Sequence, residues 1–136
     1  MSNPYLTCAW KITDGGAARD GYIEEDSDCV PRAFAIAFQI PYRKAFLLCQ
    51  RLGRTRNRGM HVPKVVREAA AICRHRATLL RRKGTVGQLL SWCTTHSVVL
   101  VEIDEHVSTI RRLQIHDLVH VPLRTKVLRA YLIQPL

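Results

Sequence analysis

One cysteine stands where a chain can arm a thiol. Asp26-Ser27-Asp28 leads into Cys29, and Val30-Pro31-Arg32-Ala33-Phe34-Ala35-Ile36-Ala37-Phe38 follows as a mainly apolar run. Asp and Ser are good N-caps, so the pattern predicts a helix that begins at or beside Cys29. A thiol there sits at the positive end of the helix dipole, which favours the nucleophilic thiolate. The free N–H groups of the first turn can stabilise an oxyanion. The chemistry indicated is that of a cysteine hydrolase. The competing reading is a half-buried core cysteine beside a capped helix, since free Cys is among the most buried residue types.

A cysteine nucleophile needs a base and a group that orients it. Histidine suits the base, and the chain has six: His61, His75, His96, His106, His116 and His120. His75 lies in a basic cluster, His61 opens a helix, and His96 precedes a long strand. His106 stands where that strand gives way to the next, and Asp117 follows eleven residues later at the end of the following strand. In an antiparallel meander those two ends lie side by side. Asp117 can then accept a proton from one imidazole nitrogen while the other faces Cys29. By composition His116 and His120 are equally available.

The elements that must position these groups are legible from periodicity. Tyr5 to Thr13 is β-prone and Asp14-Gly15-Gly16 stops it as a turn. Ala17 to Ser27 reads as an exposed connection. The first helix runs from Cys29 to about Gln39, with Pro31 in its first turn, and Ile40-Pro41 breaks it. A second starts near Pro41, faces inward with Ala45, Phe46, Cys49 and Leu52, and ends at Gly53. Arg54 to Met60 is a basic loop. A third covers Pro63 to Cys73, with Val62, Val65, Val66, Ala69, Ala70 and Cys73 on its core face. Ala77 to Leu80 is a short strand. Thr85-Val86-Gly87-Gln88 has the form of a capping box and opens a fourth helix to about Trp92, with Val86, Leu89, Leu90 and Cys93 inward.

From Ser97 the pattern turns to strands. Val98 to Ile103 is a buried strand, interrupted by Asp104-Glu105. Val107 to Arg111 and Leu113 to His116 are two shorter ones, and Val127 to Ile133 is the last. Helices first and strands second predict an α+β fold, with N-terminal helices packed on a C-terminal, mainly antiparallel sheet. The 136 residues suit a single domain, 1–136.

Composition narrows the function classes. Apolar residues make up 47%, which excludes a disordered chain, and no run approaches the ~20 apolar residues of a membrane span. Met1-Ser2-Asn3-Pro4 lacks a signal-peptide pattern, so a cytoplasmic location is expected, with no membrane partner. The five cysteines (Cys8, Cys29, Cys49, Cys73, Cys93) are odd in number and form no CxxC pair, which argues against a zinc finger or a disulfide framework. No cofactor is implied, and a Cys73/His75 pair is weak as a metal site. The net charge of +10, from 21 basic and 11 acidic residues, favours an acidic partner. The charge is clustered, and Arg54, Arg56, Arg58, Arg81, Arg82 and Lys83 are the candidates for contact with nucleic acid or an acidic protein.

The chain resembles a family of small phage and prophage proteins with a papain-like cysteine peptidase fold. The likeness runs from about residue 13 to 118. It begins at Thr13-Asp14-Gly15-Gly16 and continues through Asp28-Cys29-Val30-Pro31-Arg32-Ala33, similar to a "DCVxRA" opening of the nucleophile helix. Ile40-Pro41-Tyr42, Arg58-Gly59-Met60, Thr85-Val86-Gly87-Gln88-Leu89-Leu90 and His106-Val107 follow in the family's order, and Asp117 falls at its acidic position. The resemblance implies Cys29 as nucleophile, His106 as general base and Asp117 as orienting acid, acting on a protein or peptide substrate, in the host cytoplasm if the chain is phage-encoded.

The chain departs from that pattern in four places. Glu105 replaces a glycine before the histidine, and its carboxylate would raise the His106 pKa and compete with Asp117. Arg112-Leu113 replaces an Asp-Gly turn. No glutamine precedes Cys29 as an oxyanion donor, which leaves the Cys29 N–H with Ser27 or Tyr22. Asp28, at the same helix N-terminus, opposes thiolate formation while ionised. Two readings therefore stand: a hydrolase of peptide or isopeptide bonds, and a catalytically degenerate basic binding protein on the same scaffold.

Overall fold

The structure is a computed structural model that describes residues 9–22, 27–55, 58–81 and 84–136. The described residues form an α+β fold of four helices and a six-stranded mixed sheet. The helices are α1 (Cys29–Phe38), α2 (Tyr42–Arg51), α3 (Val62–Ile72) and α4 (Val86–Trp92). The strands are β1 (Trp10–Ile12), β2 (His75–Leu79), β3 (Val98–Ile103), β4 (His106–Arg111), β5 (Gln114–Asp117) and β6 (Arg129–Pro135).

Local signals account for the helix ends. Gln39 closes α1 in the left-handed region and returns its N–H to the Ala35 carbonyl. Pro41 precedes α2 as an extended N-cap. Thr85 and Gln88 cap α4 reciprocally, at 3.2 and 2.9 Å. Of the predicted opening strand, Trp10–Ile12 is present, and Tyr5 to Cys8 lie outside the described residues.

The sheet order is β1-β5-β4-β3-β6-β2, antiparallel throughout except where β1 runs parallel to β5. Chain order misses two of these placements. β2, made among the helices, pairs with β6 at one edge, and β1 reaches the opposite edge. The sheet is covered on both faces. Leu100, Val107, Tyr131 and Ile133 pack against α1, α2 and α3. Val99, Val101, Ile103, Ile110 and Ile115 pack against Val86 and Leu89 of α4, with Val121 and Val127. Two-sided burial explains why Val98 to Val101 is continuously apolar rather than alternating. α4 packs on the face opposite α1, α2 and α3, where its apolar stripe covers the sheet.

The connection before α1 is exposed at Ala18, Arg19, Gly21 and Ser27, as expected, but is anchored from within. Ala17 is buried, and the Tyr22 ring packs at 4.5 Å from Phe46 and 5.1 Å from Tyr42. The Asp14 carboxylate accepts the N–H groups of Gly16 (2.8 Å) and Ala18 (3.0 Å), which closes the turn. Gly15 brings this turn against α1: a Cβ there would lie 3.2 Å from Arg32 backbone, and φ is +70°.

The β4–β5 hairpin carries two non-glycine residues in the left-handed region, Arg112 (φ 52°) and Leu113 (φ 60°). Primed turns demand that geometry and glycine adopts it without the Cβ clash. Leu113→Gly is expected to stabilise the fold by about 1 kcal/mol, read as a rise in the denaturation midpoint with an unchanged m-value.

Candidate active site

Cys29 is the first residue of α1, and Asp28 holds the N-cap position without capping. Its carboxylate is drawn inward instead. Tyr42 donates its phenolic O–H to Asp28 Oδ2 at 2.8 Å, and Arg32 approaches Oδ1 at 3.4 Å. Tyr42 is fully buried, so its hydroxyl requires an acceptor, and Asp28 supplies it. The helix-capping expected of Asp28 is thereby corrected. The Asp28 carboxylate is an acceptor already engaged and offers an oxyanion no donor, while Ser27 is exposed with φ 48°. The donors on hand are the first-turn N–H groups of Cys29 and Val30, because Pro31 has none and the Arg32 N–H bonds the Asp28 carbonyl at 3.1 Å. Tyr22 is committed to the aromatic cluster.

The second half of the site comes from the sheet. Thr109 pairs with His116, so Ser108 falls opposite Asp117, and His106 lies two residues away on the same side of β4. His106 Nε2 is 2.6 Å from Asp117 Oδ2. Ser108 donates its hydroxyl to the same oxygen, and the Val119 N–H donates to Oδ1 at 3.1 Å. The Asp117 carbonyl is pinned in turn by Trp10 Nε1 and the Thr13 N–H, each at 3.1 Å. With Nε2 on the carboxylate, Nδ1 is the ring nitrogen left for Cys29, whose thiol and the His106 ring shift each other's acidity.

The electrostatics follow from these contacts. Burial pushes the Cys29 thiol up. The hydrogen bond to His106, the Val107 N–H and the charges of His106 and Arg32 outweigh it and leave the thiol below its ordinary value. His106 is raised to about 9, chiefly by the Asp117 hydrogen bond and then by Cys29, against burial. Burial also opposes ionisation of Asp117, but its bonds to His106, Ser108 and Val119 hold it below the usual carboxylate value. Both shifts favour the thiolate–imidazolium pair over the neutral pair, with a carboxylate behind it. Glu105 does not compete for the ring as expected, since Nε2 is held by Asp117.

A cleft of about 340 Å³ opens over Cys29 and His106, lined also by Val30, Gly59, Met60, His61, Val62, Glu102, Glu105 and Val107. Of the rival histidines, His61 lines this cleft, and His75, His116 and His120 lie elsewhere. His116 Nε2 faces the Arg111 carbonyl at 2.9 Å, and His120 stacks edge-on against Trp10. His75 turns Nδ1 to the carbonyl of Cys73 rather than its sulfur. Cys49 is buried and pushed up to about 12, and burial also raises Cys73 and Cys93. Among the described residues no group of three His, Cys, Asp or Glu side chains is placed to hold a metal.

Of the basic residues named from sequence, Arg54 is buried rather than available to a partner. Its Nε donates to the Arg58 carbonyl (2.8 Å) and Nη2 to the Ser27 carbonyl (3.4 Å), and its guanidinium lies over Phe46. It ties the loop after α2 to the approach to Cys29. Arg58 and Arg81 are exposed, and Arg56, Arg82 and Lys83 lie outside the described residues. Sequence reasoning missed Ser108, Tyr42 and Trp10. For Ser108 a signal exists: it stands two residues from His106 in a strand, hence on the same face.

No protein-family model, curated protein or solved structure matches the chain. None of the described helices is long and apolar enough to cross a membrane.

Alkylation reads the thiolate directly. As pH rises, Cys29 is expected to react with iodoacetamide to half its maximum rate below the pH of an ordinary thiol. In His106→Ala burial is offset only by the Val107 N–H and Arg32, the half-point moves up, and the rate at pH 7 falls at least about tenfold. In Asp117→Asn the chief cause raising the His106 pKa is gone, and loss of the imidazolium moves down from about 9.

Proposed function

We propose that the chain is a papain-like cysteine hydrolase of the phage type, cutting a peptide or isopeptide bond with Cys29 as nucleophile, His106 as acid–base and Asp117 as orienting group. The observation that supports this reading is that Cys29 and His106 line one cleft while Asp117 holds the His106 ring from behind at 2.6 Å.

The chemistry would run as follows. The Cys29 thiolate attacks the scissile carbonyl carbon, forming an S–C bond, and the oxyanion turns to the Cys29 N–H at the start of α1. Collapse of that intermediate breaks the C–N bond, and His106 gives its Nδ1 proton to the leaving amine. Neutral His106 then takes a proton from water as the oxygen adds to the thioester. The second collapse releases the acid and restores the thiolate and imidazolium. Asp117 stays ionised throughout and holds the ring by its Nε2–H.

The alternative, a basic binding protein, loses Arg54, which has an internal role, and keeps Arg58 and Arg81 as exposed described cations. The two readings separate on one pair of variants. Cys29→Ala and His106→Ala are each expected to lower hydrolysis of a peptide library by roughly 10⁴-fold or more while circular dichroism shows a folded chain. No hydrolysis by the wild type, together with salt-sensitive nucleic-acid binding that survives Cys29→Ala, would sink the hydrolase reading in favour of the binding one.

A further inference from the structure

The cleft has a charge unlike that of the rest of the molecule. On a chain of net charge +10, its described lining includes neither Lys nor Arg and has two carboxylates, Glu102 and Glu105. Glu102 is neutralised: Arg129 grips it with Nε at 2.7 Å and Nη2 at 2.8 Å. Glu105 is exposed and has no ion-pair partner among the described residues. It also occupies the left-handed region, φ 52°, in the two-residue turn that joins β3 to His106. A non-glycine residue held there beside a reactive group is backbone strain kept at a working site. The remaining wall is mainly apolar, with Val30, Met60, Val62 and Val107 beside Gly59 and the His61 imidazole.

We infer that the cleft selects a substrate bearing a lysine or arginine side chain next to the cleaved bond, with Glu105 as the specificity-determining residue. The assignment rests on the hydrolase reading for its substrate, and on the cleft alone for its charge preference. A long cationic side chain has two parts, an alkyl stem and a charged head. The stem lies along Met60 and the three valines, and the head meets the Glu105 carboxylate. An acidic side chain in the same place meets a like charge. At about 340 Å³ the cleft sits near the lower end of the range for ligand sites, roughly 300–1,000 Å³. It takes one such side chain with its adjoining peptide.

Two measurements test this separately from the hydrolase reading. In the first, Cys29 is modified with a cationic trimethylammonium-ethyl or an anionic sulfonatoethyl methanethiosulfonate, and the ratio of rates is divided by that of a free cysteine peptide. The wild type is expected to favour the cation by roughly tenfold, Glu105→Gln to lose most of that preference, and Glu105→Lys to reverse it. Glu68→Gln, on the exposed face of α3, serves as the control for overall charge. In the second, fluorogenic amides carry Arg, norleucine or Glu at either of the two positions before the scissile bond. The Arg-to-norleucine ratio of kcat/KM is expected to fall roughly tenfold in Glu105→Gln. Equal reagent ratios in wild type and Glu105→Gln would overturn the inference even in an active enzyme. Cation-selective modification without hydrolysis of any amide would leave the charge preference standing and remove the hydrolase reading.

Discussion

The site hangs on one carboxylate oxygen. Asp117 Oδ2 receives both the His106 ring and the Ser108 hydroxyl, and both donors stand on β4 while the acceptor stands on β5. Strand register is what brings them together. A slip of one residue between β4 and β5 would turn Asp117 to the opposite face of the sheet. The parallel strand β1 guards against that slip, because Trp10 and Thr13 both grip the Asp117 carbonyl. A three-residue strand at the edge of the sheet thus contributes to the geometry of a site it does not line.

The other half of the site is held by burial of polar groups. Asp28 is 5% exposed, and it binds the Tyr42 hydroxyl and Arg32 together. Thr109 of β4 donates to the Ala33 carbonyl of α1 at 2.9 Å, and both ends of that bond are buried. Buried polar groups left without partners are costly, so these contacts fix the rotation and depth of α1 against the sheet. The thiol at its first residue inherits that placement. Apolar packing alone would tolerate more sliding between helix and sheet.

Much of this was legible in order along the chain. The helix beginning at Cys29, the Thr85 capping box and the apolar strand Val98–Ile103 follow from signals within a few residues. What escaped depends on contacts made between distant segments. Asp28 looks like a cap by type, yet a buried phenol from the next helix outbids the local N–H groups. Arg54 looks like a surface cation, yet two backbone carbonyls and a ring draw it inside. The pairing of β1 with β5 carries no local signature, and neither does the second covered face of the sheet.

The heightened acidity of the Cys29 sulfur has a consequence for the order of events in the cell. Each influence that heightens it, Arg32 excepted, comes from His106 or Val107, far along the chain. While the polypeptide is leaving the ribosome, the sulfur is exposed long before those groups exist. During that interval it behaves as an ordinary, mostly protonated thiol without its imidazole partner. Reactivity arrives only when the last third of the polypeptide has been made and folded.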